Sequence, residues 1–125
     1  MPPSIPQKEY EMLLKNIYER VIISGANIPP VEFTTAFNLF TDYLLSRYGE
    51  DYVIKPSSTY TEATSVDDDV AVHNSYSAAY VDHICGIALK DSAKQADAVA
   101  KADFAFRTEW RKKAKGKRIR KEVWM

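Results

Sequence analysis

The sequence predicts an all-α fold: a small four-helix bundle with a long loop or β-hairpin arm between helices two and three and an extended basic C-terminal tail. Three observations predict it. Apolar residues recur at the three- and four-residue spacing of a helix face in three stretches. A fourth stretch is rich in alanine, the residue with the highest helix propensity. Glycine and proline fall between these stretches, where helices stop and start.

The first helix is expected to begin near Gln7, after the extended Pro2, Pro3 and Pro6, and to bury Tyr10, Leu13, Leu14, Ile17, Tyr18, Val21 and Ile22. Ser24-Gly25 ends it, because glycine takes the left-handed terminal conformation without strain. The second helix runs from about Pro30 to Tyr48, with Phe33, Ala36, Phe37, Phe40, Leu44 and Tyr48 as its stripe and Leu39 and Tyr43 broadening it. Pro30 suits a first turn, and Gly49 is the stop. A link of about five residues makes these two helices an antiparallel hairpin.

Residues 50–66 read either as a β-hairpin arm or as a long irregular loop, with Asp51–Lys55 a candidate strand and Pro56-Ser57-Ser58 a turn. The third helix is expected to start at Asp67-Asp68-Asp69, whose carboxylates suit free backbone N–H groups and the positive end of the helix dipole. Val70, His73, Tyr76, Tyr80, Val81, Ile84, Cys85 and Ala88 would form its apolar side. Ser92 with Gln95 resembles a capping box, opening a fourth helix to about Lys113. Phe104 and Phe106 sit about 200° apart on that helix, so both cannot face one small core. The domain is expected to span 1–113, with the arm at 50–66 and the tail at 114–125.

With 125 residues, 46% of them hydrophobic and 27% charged, the chain holds one domain with one modest core. Neither a signal-like leader nor an apolar run of about 20 residues is seen, which predicts a soluble intracellular protein without a membrane span. One cysteine, Cys85, excludes an internal disulfide. Its place on an apolar face reads as a small buried hydrophobe rather than a nucleophile. His73 and His83, ten residues apart, would lie about 15 Å apart along one helix and share no metal. Asp82, His83 and Cys85 have poor spacing for converging ligands. The aspartate run lacks the alternating ligands and closing glutamate of a calcium loop. No glycine loop cradles a phosphate. The expectation is no enzyme, no cofactor and no metal.

The formal net charge is zero, yet the charges are segregated. Residues 107–125 hold nine basic and two acidic side chains, a net +7, and residues 1–106 carry −7. Such a block predicts a partner for the tail, nucleic acid or an acidic protein surface. The candidate contact residues are Arg111, Lys112, Lys113, Lys115, Lys117, Arg118, Arg120, Lys121 and Trp124, the last as an anchor in a partner's pocket. Contact with DNA would be to the backbone and nonspecific, through counterion release.

In layout the chain resembles the head-to-tail adaptor (head completion, or connector) proteins of tailed bacteriophages. The resemblance lies in the order of elements across residues 7–113. It lies most in Asp67-Asp68-Asp69-Val70 through Tyr76-Ser77-Ala78-Ala79-Tyr80, then His83-Ile84-Cys85-Gly86-Ile87-Ala88-Leu89, and an Ala-rich segment from Ala93 to Ala105. It implies a helical subunit of a ring, commonly dodecameric, beneath the portal in the virion neck. The ring would extend the DNA channel and dock tail or neck proteins. Residues 111–125 would reach the portal, channel DNA or both. Tyr52, Ile54 and Tyr60 on the 50–66 arm would touch a neighbouring subunit or the tail.

Overall fold

The computed structural model describes residues 12–56 and 58–123, with side chains as far as Ala114. It is mostly helical. Helix α1 is Leu14–Ile23, α2 is Pro30–Tyr48, α3 is a single turn at Glu50–Val53, α4 is Ser77–Ala88 and α5 is Ser92–Val123. A 3₁₀ turn at Asn74–Tyr76 leads into α4, and two short strands, β1 (Met12–Leu13) and β2 (Asp69–Val70), pair antiparallel.

The first helix therefore starts seven residues later than its periodicity suggests. Met12 and Leu13 are extended and pair with Val70 and Asp69, and Leu14 N–H donates to the Asp68 carbonyl. Residues 7–11, with Tyr10, lie outside the described residues. Leu14, Ile17 and Val21 are buried, while Ile22 is exposed. Helix α2 has the bounds expected, with Pro30 at its first position and Gly49 (φ 88°) accepting the turn that ends it. Its stripe from Phe33 to Leu44 is buried, but Leu39 and Tyr43 face outward.

Helix α4 is the hub. It packs along α5 most extensively, and along both α1 and α2. The expected side-by-side hairpin of the first two helices is thus replaced by two helices that share α4 as their neighbour. They touch each other where Tyr18 meets Phe33 edge-on, with centroids 5.0 Å apart, and Tyr18 Oη donates to the Ile28 carbonyl. An aromatic layer holds α2 to α4. Phe37 stacks on Tyr80 at 4.2 Å, Phe40 meets Tyr80 edge-on, and the Tyr80 and Thr41 hydroxyls share a hydrogen bond of 2.6 Å. Each such buried ring contributes about 1.5–3 kcal/mol, and the buried hydroxyls stay satisfied by pairing with each other.

Helix α5 reaches α4 through small residues. Ala98, Ala102 and Ala105 are buried, at the spacing of one helix face. Opposite, Gly86 leaves no space: a Cβ there would lie 2.6 Å from Gln95 Cγ and 3.0 Å from Gln95 N. The link between the helices is short. Lys90 takes φ 53° and Asp91 N–H returns to the Gly86 carbonyl, satisfying the end of α4. The N-cap of α5 is Asp91 and not Ser92: Asp91 Oδ1 accepts from the N–H groups of Ala93 and Lys94. The C-terminal segment is not an extended tail, because α5 continues through Val123, about 48 Å at 1.5 Å per residue.

The 50–66 segment is neither a β-hairpin nor a projecting arm. After α3, Ile54 forms a bridge with Val72, and Lys55 N–H donates to the Ala71 carbonyl at 2.7 Å. The rest folds back on α2, where the Asn38 side-chain amide both donates to and accepts from the Ala63 backbone at 2.9 Å. The aspartate run does not start a helix either. Asp68 Oδ2 accepts from the N–H groups of Thr64 and Ser65, which holds its carboxyl below the ordinary 3.8, and Asp69 belongs to β2.

Candidate functional site

The buried stripe of α5 ends on a charge. Glu109 follows Ala98, Ala102 and Ala105 at helical spacing and is only 4% exposed. Its Oε1 lies 3.5 Å from His73 Nδ1, and its Oε2 accepts from Ser75 Oγ at 2.7 Å and from Lys112 Nζ at 3.4 Å. The carboxylate clamps the 3₁₀ turn and its flank to α5. Ser75 and His73 both address the glutamate, so the serine hydroxyl is spent on the carboxylate, and the arrangement is that of a structural clamp.

A second polar contact ties α2 to α5. Tyr48 Oη donates to Asp103, which Arg47 also approaches, at 3.5 Å, and Phe106 stacks on Tyr48 at 4.7 Å. Burial and the Asp103 bond push the Tyr48 phenol up to about 12. Phe106 also meets Tyr52 edge-on at 5.2 Å. Phe106 is therefore on the body side of α5, and Phe104, across the helix, is 69% exposed.

Of the basic residues singled out by sequence, Arg111, Lys112 and Lys113 are exposed on α5. Lys113 Nζ donates to the Asp51 carbonyl at 2.6 Å and sits 4.6 Å from the Tyr52 ring centroid. Lys115, Lys117, Arg118, Arg120 and Lys121 lie along the same helix by backbone. Trp124 lies outside the described residues. The three arm residues are not gathered with them on a free arm. Tyr52 is half-buried beneath Phe106 and Lys113, Ile54 is in the core, and Tyr60 is half-buried with its hydroxyl turned inward. Only Tyr52 meets the basic helix. Hydrophobicity explains the difference: Val53 and Ile54 are worth more in the core than on a projecting strand.

His73 and His83 do not share a helix. His73 precedes the 3₁₀ turn, and His83, on α4, stacks on Phe40 at 4.3 Å, where burial lowers its pKa from the ordinary 6.5. Asp82 pairs with Lys101 at 2.6 Å. Cys85 is buried, its thiol raised by burial and aimed at the Val21 carbonyl. Among the described residues no group of three His, Cys, Asp or Glu is placed to hold a metal ion, and no helix is long and apolar enough to cross a membrane.

One surface lies outside the residues that the sequence pattern singles out. An open groove of about 450 Å³ runs between α2 and α4, lined by Ile28, Val31, Glu32, Leu39 and Ile87 among others. Val31 is 76% and Leu39 62% exposed. The signal was available: Val31 and Leu39 fall off the buried stripe of α2, and so are apolar residues with no core to enter. No protein-family model matches the chain, and no curated protein or solved structure matches it.

Proposed function

We propose that the chain is a non-enzymatic assembly subunit of the head-to-tail adaptor kind. In this reading α1, α2, α4 and α5 are the bundle of one subunit, copies of which close into a ring under the portal of a tailed bacteriophage. The ring extends the DNA channel in the virion neck and docks tail proteins. The observation that carries the reading is α5. One continuous helix runs from the alanine stripe, packed on α4, into the basic segment. It joins the +7 segment to an acidic body without a flexible joint. A rigid charged strut on a small body suits docking into a larger assembly, where ordering a loose tail would cost conformational entropy.

The same nine basic residues favour a second reading, a helical nucleic-acid-binding protein whose contacts are to phosphates. Affinity capture from nuclease-treated, crosslinked lysate of the native source separates the two. It uses the full chain and a chain ending at Lys113, which keeps Glu109 and its partners. Nuclease-resistant recovery of portal or tail proteins by the full chain, lost on truncation, is the expected outcome. Recovery of nucleic acid alone, abolished by nuclease and falling steeply with salt, would replace the adaptor reading by the second.

A further inference from the structure

Among the described residues, two apolar features are left uncovered. One is the groove between α2 and α4, with Val31, Leu39 and Ile87 exposed along it. The other is Phe104 on the outer face of α5. Within one chain the two do not meet, since Ala98, Ala102 and Ala105 pack α5 against the body and Phe104 stands across the helix from them. Their charges are opposite. Among the described residues, Glu32 is the one ionisable side chain lining the groove. Arg107 and Arg111, both exposed, follow Phe104 at i+3 and i+7, on the same helical face.

We infer that the groove is the docking site for the Phe104 face of α5 from a second copy of this chain. Phe104 enters between Val31, Leu39 and Ile87, and Arg107 or Arg111 meets Glu32. The contact joins two different surfaces. It is heterologous, so each copy keeps one free groove and one free helix face, and repetition yields a ring or a filament rather than a closed dimer. An aromatic anchor in an apolar cleft beside a charge pair is the usual make-up of an interface hot spot. The inference deepens the assembly reading and rests on it for the ring, but it predicts self-association in the absence of portal or DNA.

The test is sedimentation velocity with light scattering on the full chain, up to about millimolar concentration, where even a weak contact registers. Leu39→Glu and Phe104→Glu are compared with it. Both positions are exposed, and circular dichroism checks that both variants fold. The wild-type chain is expected to associate, and each variant to weaken association by roughly thirtyfold or more. Mixing the variants is the decisive arm. One retains the helix face and the other the groove, so the mixture is expected to form a 1:1 dimer that grows no further. A Glu32→Arg, Arg107→Glu, Arg111→Glu chain is expected to regain association that Glu32→Arg alone loses.

A wild-type chain that stays monomeric overturns the inference. So does a mixture that stays monomeric, or a Leu39→Glu chain that associates like wild type. Altered protection of residues 1–11 in Leu39→Glu, with unchanged association, would instead give the groove to the chain's own N-terminal segment. Capture of portal by a monomeric chain would sink this contact and leave the adaptor reading standing. Self-association without capture would do the reverse.

Discussion

The two halves of α5 are one helix held by different forces. From Ser92 to Lys113 it is fixed by tertiary contact: three alanines against α4, Glu109 on His73 and Ser75, Phe106 on Tyr48, and Lys113 on the Asp51 carbonyl. From Lys115 to Val123 it is written mainly in Lys and Arg. There, helix propensity and continuity with a helix already nucleated favour the same backbone. The first half spends its side chains on the fold, and the second is the charge block proposed above to meet a partner. Substitutions along one helix should therefore have sharply different costs.

The largest cost is expected at Glu109. Truncation to alanine leaves the buried His73 and the half-buried Ser75 beside an empty space and removes the clamp on the 3₁₀ turn. Glu109→Ala is expected to lose about 3 kcal/mol, seen as a fall of roughly 10 °C in the thermal midpoint. An equal loss from Lys115→Ala would erase the distinction between the halves. Next comes Ala102→Leu. The site is fully buried in a contact between small residues, so added methyl groups must push α5 off α4. The expected loss in chemical denaturation is about 2 kcal/mol. A neutral result would mean that the two helices are not closely packed.

A smaller and pH-dependent effect belongs to His83, outside α5. Its pKa is lowered by burial, so the folded state prefers the neutral ring and the unfolded state binds the proton more readily. Its contribution is intact above the ordinary 6.5 and is lost as pH falls below it, toward the depressed folded value. His83→Phe keeps a ring on Phe40 and removes the titration. Denaturation midpoints measured from pH 7.5 downward should show the wild-type chain losing stability relative to the variant from about 6.5. Parallel curves would refute the assignment.

Much of this fold was legible because its signals are local. Pro30 and Gly49 bracket α2, and the opposed Phe104 and Phe106 announced that the two rings could not share one core. What failed depended on partners distant in sequence. Met12 and Leu13 have helix-compatible periodicity, but Asp69 and Val70 offer them strand pairing that only the fold brings near. The aspartate run has the right chemistry for a cap, and it caps a turn at Thr64 and Ser65 instead of a helix. The Glu109 clamp had one signal, its place four residues after Ala105 on the alanine face, outweighed by the basic residues around it. Of the candidate contact residues, the basic helix holds together as a unit, while the arm does not: Ile54 was an apolar residue needed by the core.

The smallest effect is expected from removing the second half of α5 altogether. The contacts given by the described side chains reach Lys113, where the ammonium group meets the Asp51 carbonyl and the Tyr52 ring. A chain ending there keeps the alanine stripe, the Glu109 clamp and this last tie. It also sheds five basic side chains, Lys115, Lys117, Arg118, Arg120 and Lys121, and one acidic, Glu122, and so relieves repulsion within the block. Loss of stability should stay within about 0.5 kcal/mol, while helical signal per chain falls because the removed residues 114–123 are helical. A marked fall in stability would mean that the basic half is packed on the body and is not held out for a partner. Unchanged stability with lost capture would separate folding from docking along a single helix.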